Sequence, residues 1–90
     1  MDIPEDESFI EYPCQFPIKC MGITGDTLEE AVLCIFNEHV PDLSEGALRL
    51  RPSSKGKYTA ITVTINATSR AQLDAIYQAL SDSEHILMAL

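Results

Sequence analysis

Arg49, Arg51, Lys55 and Lys57 stand between positions 49 and 57 with no acid among them, in a chain whose formal net charge is −8. Guanidinium and ammonium groups so grouped recognise carboxylates or phosphates. A local positive patch on an acidic protein also steers anionic partners. The run Arg51-Pro52-Ser53-Ser54-Lys55-Gly56-Lys57-Tyr58 places two hydroxyls among these charges. Arg49, Arg51, Ser53, Ser54, Lys55 and Lys57 are therefore the candidate partner-binding residues. A solvated hairpin tip carries the same pattern, and patterning alone does not separate the two.

A second candidate lies earlier. Gly22-Ile23-Thr24-Gly25-Asp26 reads as a turn ahead of a helix. Backbone N–H groups there, with the positive end of the helix dipole, can hold a carboxylate. Gly22, Thr24, Gly25 and Asp26 are the candidate ligand-binding residues. The two glycines serve equally to make the turn. No other grouping points to chemistry. His39 and His85 lie far apart without a carboxylate motif, and no metal-ligand spacing is present. Cys14, Cys20 and Cys34 show no C-x-x-C spacing, and Cys20 and Cys34 are expected as buried small hydrophobes. The reading names no catalytic residue, no metal and no cofactor.

Ninety residues make one domain with one modest core. No apolar run approaches the ~18 residues of a membrane span. Met1-Asp2-Ile3-Pro4-Glu5-Asp6-Glu7 lacks the basic and apolar regions of a secretory signal. Residues 1–12 are expected as an acidic disordered tail, residues 13–90 as a single domain, and the protein as cytoplasmic. The acidic balance argues against nucleic acid, where phosphate neutralisation supplies most of the affinity.

The elements that must position the candidates follow from periodicity. Phe16 to Met21 alternates, predicting a first strand that starts near Pro17. Thr27-Leu28-Glu29-Glu30 matches a capping box. Leu28, Ala31, Val32, Ile35, Phe36 and His39 then follow at helical spacing, and Pro41 stops the helix. Ala47 to Arg51 alternates with Leu48 and Leu50 inward and both arginines outward. Tyr58 to Ala67 alternates longest, with Ile61, Val63 and Ile65 on one face. The basic run closes these two strands into a hairpin. Ser69-Arg70-Ala71-Gln72 matches a second capping box, and Leu73, Ile76, Tyr77 and Leu80 carry a helix to about Ser81. His85 to Leu90 reads as a final apolar strand.

Strand, helix, strand, strand, helix, strand is the split βαβ plan: an α+β, ferredoxin-like βαββαβ sandwich with a four-stranded antiparallel sheet and two helices on one face. Right-handed crossovers put strands 1 and 3 in the centre and strands 2 and 4 at the edges. The open face then carries Lys19, Met21, Arg49, Arg51, Thr62 and Thr64.

Several of these segments carry a resemblance. Phe16-Pro17, Lys19 with Met21-Gly22, the Pro-Ser-Ser-Lys-Gly stretch at 52–56, the Thr-Ile-Asn-Ala-Thr stretch at 64–68 and the closing Met88-Ala89-Leu90 are similar to the YbeD-like family of small bacterial proteins of unknown function. The similarity runs from about Tyr12 to Leu90. It implies a ferredoxin-like fold close to ACT-type amino-acid-sensing domains, and a regulatory protein that binds lipoic acid. It brings no catalytic residues.

Four functions compete on these residues. A non-enzymatic regulatory module would bind a small carboxylate, a lipoyl-type ligand or a partner protein. A protein–protein adaptor would use the open face and the C-terminal edge strand without a small ligand; an unguarded edge also suits a homodimer. RNA-recognition domains use this fold but stack bases on aromatics of the central strands, where this chain offers Thr62, Thr64, Pro17 and Lys19. Acylphosphatases hold phosphate with an arginine after strand 1, and none occurs between Met21 and Thr27. The expectation is a small regulatory or adaptor module that is not an enzyme and does not enter a membrane.

Overall fold

The longest alternating run, Tyr58–Ala67, is the strand around which everything else is arranged in the computed structural model, which describes residues 11–41 and 43–90. The chain order is β1 (Cys14–Ile23), α1 (Asp26–His39), a 3-10 turn (Glu45–Ala47), β2 (Leu48–Pro52), β3 (Tyr58–Ala67), α2 (Arg70–Asp82) and β4 (Met88–Ala89). The four strands form one antiparallel sheet in the order β2-β3-β1-β4. The ferredoxin-like arrangement follows, with β1 and β3 central.

Alternation sets which side chains are buried. Ile18 and Cys20 of β1 and Ile61, Val63, Ile65 and Ala67 of β3 point to one face. Leu28, Val32 and Phe36 of α1 and Leu73, Ile76 and Leu80 of α2 pack on them. The α1 residues recur every fourth position and the α2 residues at three- and four-residue steps, so each helix turns one stripe to the sheet.

The structure departs from the sequence reading in several places. β1 begins at Cys14 rather than near Pro17, and it runs on through Gly22 and Ile23, which pair with Thr59 and Tyr58. The turn shrinks to Thr24 and Gly25. Pro17 is tolerated mid-strand because its nitrogen faces the β4 side: Lys19, of the same parity, exchanges bonds with Leu90, and no described β4 pairing reaches Pro17.

The first capping box does not form. α1 opens at Asp26 behind Gly25, whose φ of 154° and ψ of 168° suit glycine, and no side chain caps it. Thr27 is thus already inside the first turn. The second box forms by half. The Ser69 hydroxyl accepts from the Gln72 N–H at 3.1 Å, but the Gln72 side chain accepts from Thr68 N–H at 2.8 Å instead of from Ser69.

β4 is shorter than the expected His85–Leu90 strand. Only Met88 and Ala89 are in the ladder, while His85 lies in the preceding turn. Tyr77 Oη donates to the Leu90 carbonyl at 2.9 Å and ties this segment to α2.

Cys34 is exposed, not buried, because it lies off the Leu28–Val32–Phe36 stripe; Cys20 is buried as expected. Leu50 faces the helix side of the sheet, in register with Ile61, yet remains 44% exposed on the edge strand. Residues 1–10 of the expected 1–12 tail, and position 42, lie outside the described residues. Tyr12 packs against the core.

Candidate functional site

The two candidate groups, separate in sequence, meet at one end of the sheet. Antiparallel pairing of β1 with β3 sets Ile23 opposite Tyr58, so the turn after β1 lies beside the β2–β3 loop. Thr24 N–H donates to the Lys57 carbonyl at 3.0 Å, and the Thr24 and Thr59 hydroxyls are 2.7 Å apart.

The hairpin tip is ordered by its own backbone. Ser53 N–H donates to the Tyr58 carbonyl at 2.7 Å, Gly56 N–H donates to the Ser53 carbonyl at 2.9 Å, and Tyr58 N–H donates to Ser53 Oγ at 3.2 Å. Gly56 takes φ 73°, where a Cβ is disfavoured. Ser53 therefore shapes the loop, while Ser54 and Lys55 are exposed within it. Lys57 Nζ lies 5.4 Å from the Tyr58 ring centroid, a cation–π distance.

From the hairpin the positive charge continues down the open face. Register sets Lys19, Thr62 and Arg49 in one row across β1, β3 and β2, and Met88, Met21, Ala60 and Arg51 in the next row across all four strands. Of the chain's 6 Lys and Arg residues, all but Arg70 lie on this face or on its hairpin. The four strands contain no acidic residue. The described acids stand instead on the helices, on the loops and just before β1. The sheet face is therefore positive although the chain is strongly negative.

Beside these charges sits an apolar floor. Met21, Met88 and Leu90 are 37%, 54% and 71% exposed, and with Lys19 and Ala60 they line a shallow recess of about 160 Å³. The sequence reading put Met21 on this face but gave Met88 and Leu90 no side. Every residue from Ile86 to Leu90 is apolar, so alternation carries no face signal there.

The first-turn candidates have a different geometry. Gly22 is buried in β1, where an added Cβ would press on the His85 carbonyl oxygen and lie 2.6 Å from Leu28 Cδ1. Its glycine serves this close approach. Gly25 and Thr24 border two recesses, one of about 380 Å³ with Thr27, Glu84, His85 and Leu87, the other of about 190 Å³ with Glu29, Leu50, Pro52 and Thr59. Asp26 is exposed in the first turn of α1, with Glu29 one turn on. Those two carboxylates already complement the helix dipole, and a bound anion would meet them.

Burial pushes the Cys20 thiol up to about 11, and its Sγ lies 3.7 Å from the Ile61 carbonyl. Burial also raises the Tyr77 phenol. His85 Nε2 is 3.7 Å from Glu84 on an exposed turn. Among the described residues no group of His, Cys, Asp and Glu has metal-binding geometry, and no helix is long and apolar enough to cross a membrane.

Comparison with known proteins agrees with this architecture. The solution structure of protein HP0495 from H. pylori superposes with a TM-score of 0.69 over 100% of this chain and 97% of its own, at 21% identity, which speaks for the fold alone. A UPF0250 protein of Nitrosomonas europaea is 47% identical over 94% of this chain and 98% of its own length. A UPF0250 protein of Janthinobacterium is 46% identical over 89% and 88%. A family model described as "Protein of unknown function (DUF493)" matches residues 7–90. With near-complete coverage in both directions and the ferredoxin-like sheet in common, the chain belongs to the DUF493/UPF0250 family of small, YbeD-like bacterial proteins.

Proposed function

We propose that this protein is a cytoplasmic regulatory adaptor that acts by binding, and that its open sheet face docks an acidic segment of a partner protein. One observation carries the reading: an acid-free sheet face bearing Lys19, Arg49 and Arg51 beside exposed Met21 and Met88, on a chain of net charge −8. Charge alone would be a solvated surface. Charge bordering an apolar floor is what a specific interface needs, because the floor contributes burial while the rim sets orientation and on-rate. A nucleic acid suits the same face less well, since the central strands present Met21, Lys19, Ala60 and Thr62 where stacking requires rings.

Titration with a hexaglutamate peptide, followed by backbone amide shifts, tests this. Shifts at Lys19, Arg49, Thr62 and Thr64 that fade with added salt are expected. The pair Lys55→Glu with Lys57→Glu should weaken binding several-fold while stability stays within about 0.5 kcal/mol, as for exposed surface changes. Tighter, salt-sensitive binding of an oligoribonucleotide to the same amides would overturn the reading.

A second reading is a small carboxylate or lipoyl-type ligand at Thr24, Gly25 and Asp26. The two recesses bordered by Thr24 and Gly25 give it room, against the opposition of Asp26, Glu29 and Glu84 beside them. A ligand that binds only the folded state raises the melting temperature. Lipoate and amino acids at millimolar concentration should then do so, and a flat response across that set removes this reading.

A further inference from the structure

We infer that the acidic segment proposed above is received as an amphipathic α-helix, laid along β3 in a trough on the open sheet face. The inference rests on the docking reading and adds to it the form of the partner.

Register builds the trough. β3 turns Ala60, Thr62 and Thr64, all short side chains, to the open face. Lys19 and Met21 of β1 stand on one side, Arg49 and Arg51 of β2 on the other. Short side chains on the middle strand and long ones on both neighbours leave a channel. Its walls are two strand spacings apart, roughly 9.5 Å. A helix with its side chains is about 10–12 Å across. The floor runs from Ala60 to the exposed Asn66, about 20 Å of strand. That is the length of about 13 residues of helix.

Backbone bonding opposes an extended occupant here. β3 is paired with β2 and β1, and β1 around Lys19 and Met21 is paired with β3 and β4. The ladder takes the N–H and C=O groups of both strands. An extended segment packed on top would bury its own backbone groups without partners. A helix arrives with its backbone bonded internally.

Charge sets the pattern the helix must carry. Arg49 and Arg51 are two strand steps apart, about 6.8 Å. Acids at i and i+4 of a helix are separated by about 6 Å along its axis. Acids so spaced face both arginines along one flank. An apolar stripe beside them meets Ala60 and the exposed Met21 and Met88. Lys55 and Lys57 lie beyond the Ala60 end of the channel. They complement the negative C-terminal end of a helix, so the partner helix runs toward the hairpin tip.

Two peptides of about 14 residues, equal in Glu, Leu and Ala content, test this on the full chain. One carries glutamates at i, i+4 and i+8 beside a leucine stripe. The other has the order permuted so that the helical period is lost. The first should bind roughly tenfold more tightly and gain helical ellipticity on binding. Its shifts should fall at Met21, Ala60, Thr62 and Arg51. A spin label at its C-terminus should broaden the Lys55 and Lys57 amides and spare Asn66. Ala60→Phe fills the channel. It should weaken the helical peptide about tenfold and leave hexaglutamate within about twofold. Thr64→Phe, at an exposed position, makes the same test where the first variant disturbs the fold. Equal affinity for both peptides, with the same salt-sensitive shifts as hexaglutamate, would overturn the helix and leave the acidic-segment reading standing. No binding of any of the three would overturn both. Shifts confined to the Met88, Ala89 and Leu90 amides would overturn the helix in favour of strand addition at the β4 edge.

Discussion

Gln72 Nε2 donates to the carbonyl of His39 at 3.0 Å, so the first turn of α2 closes the last turn of α1. The same side chain accepts from Thr68 N–H at 2.8 Å. One glutamine thus satisfies backbone groups at the ends of two helices. The variant Gln72→Glu keeps the acceptor for Thr68 but sets a carboxylate against the His39 carbonyl. It should cost about 1–3 kcal/mol in urea unfolding, the range for leaving or opposing a polar group. An unchanged midpoint would show that water takes over both bonds.

Gly22 gives a sharper contrast between two glycines. A methyl there presses on the His85 carbonyl and Leu28, whereas at Gly46 nothing lies within 4 Å. Gly22→Ala should destabilise by roughly 1–3 kcal/mol, as overpacking does. Gly46→Ala should leave stability within about 0.5 kcal/mol. Equal effects in thermal unfolding would mean that the turn carrying His85 yields freely.

Cys20 predicts alkaline sensitivity. Its folded pKa is raised to about 11 from an ordinary thiol value of 9.0, by burial. The folded state therefore resists the thiolate. The stabilisation is complete below pH 9 and is lost as pH climbs through 9 towards 11, because the unfolded chain releases the proton first. Two pKa units correspond to up to roughly 3 kcal/mol. Cys20→Ala should flatten the stability profile over that window, and stability that falls equally steeply in the variant would assign the effect elsewhere.

The edge of the sheet predicts self-association. Met88 and Ala89 form an edge strand without charge, proline or glycine, whereas β2 carries Arg49, Arg51 and Pro52. Unguarded edges invite pairing, and two-fold pairing would extend the sheet across both subunits. The wild type is expected to sediment as a dimer at high micromolar concentration and Met88→Lys as a monomer. A wild type that stays monomeric there removes the proposal.

Alternation and the 3.6-residue period determined the element order, the central place of β1 and β3 and the two faces of the sheet. Ile61, Val63 and Ile65 alternate with Thr62 and Thr64, and a pleated strand buries only one such set. What alternation could not assign was β4, where Ile86 to Leu90 are apolar at every position; pairing with β1 alone decided that Met88 faces the open side. Local capping patterns were equally underdetermined. Thr27 and Glu30 have the spacing of a box, but α1 starts behind Gly25, two residues too early for Thr27 to cap it. The meeting of Thr24 with Lys57 and of Gln72 with His39 joins residues more than thirty positions apart. Contacts of that separation depend on strand register and helix packing, which exist only once the chain has closed on its core.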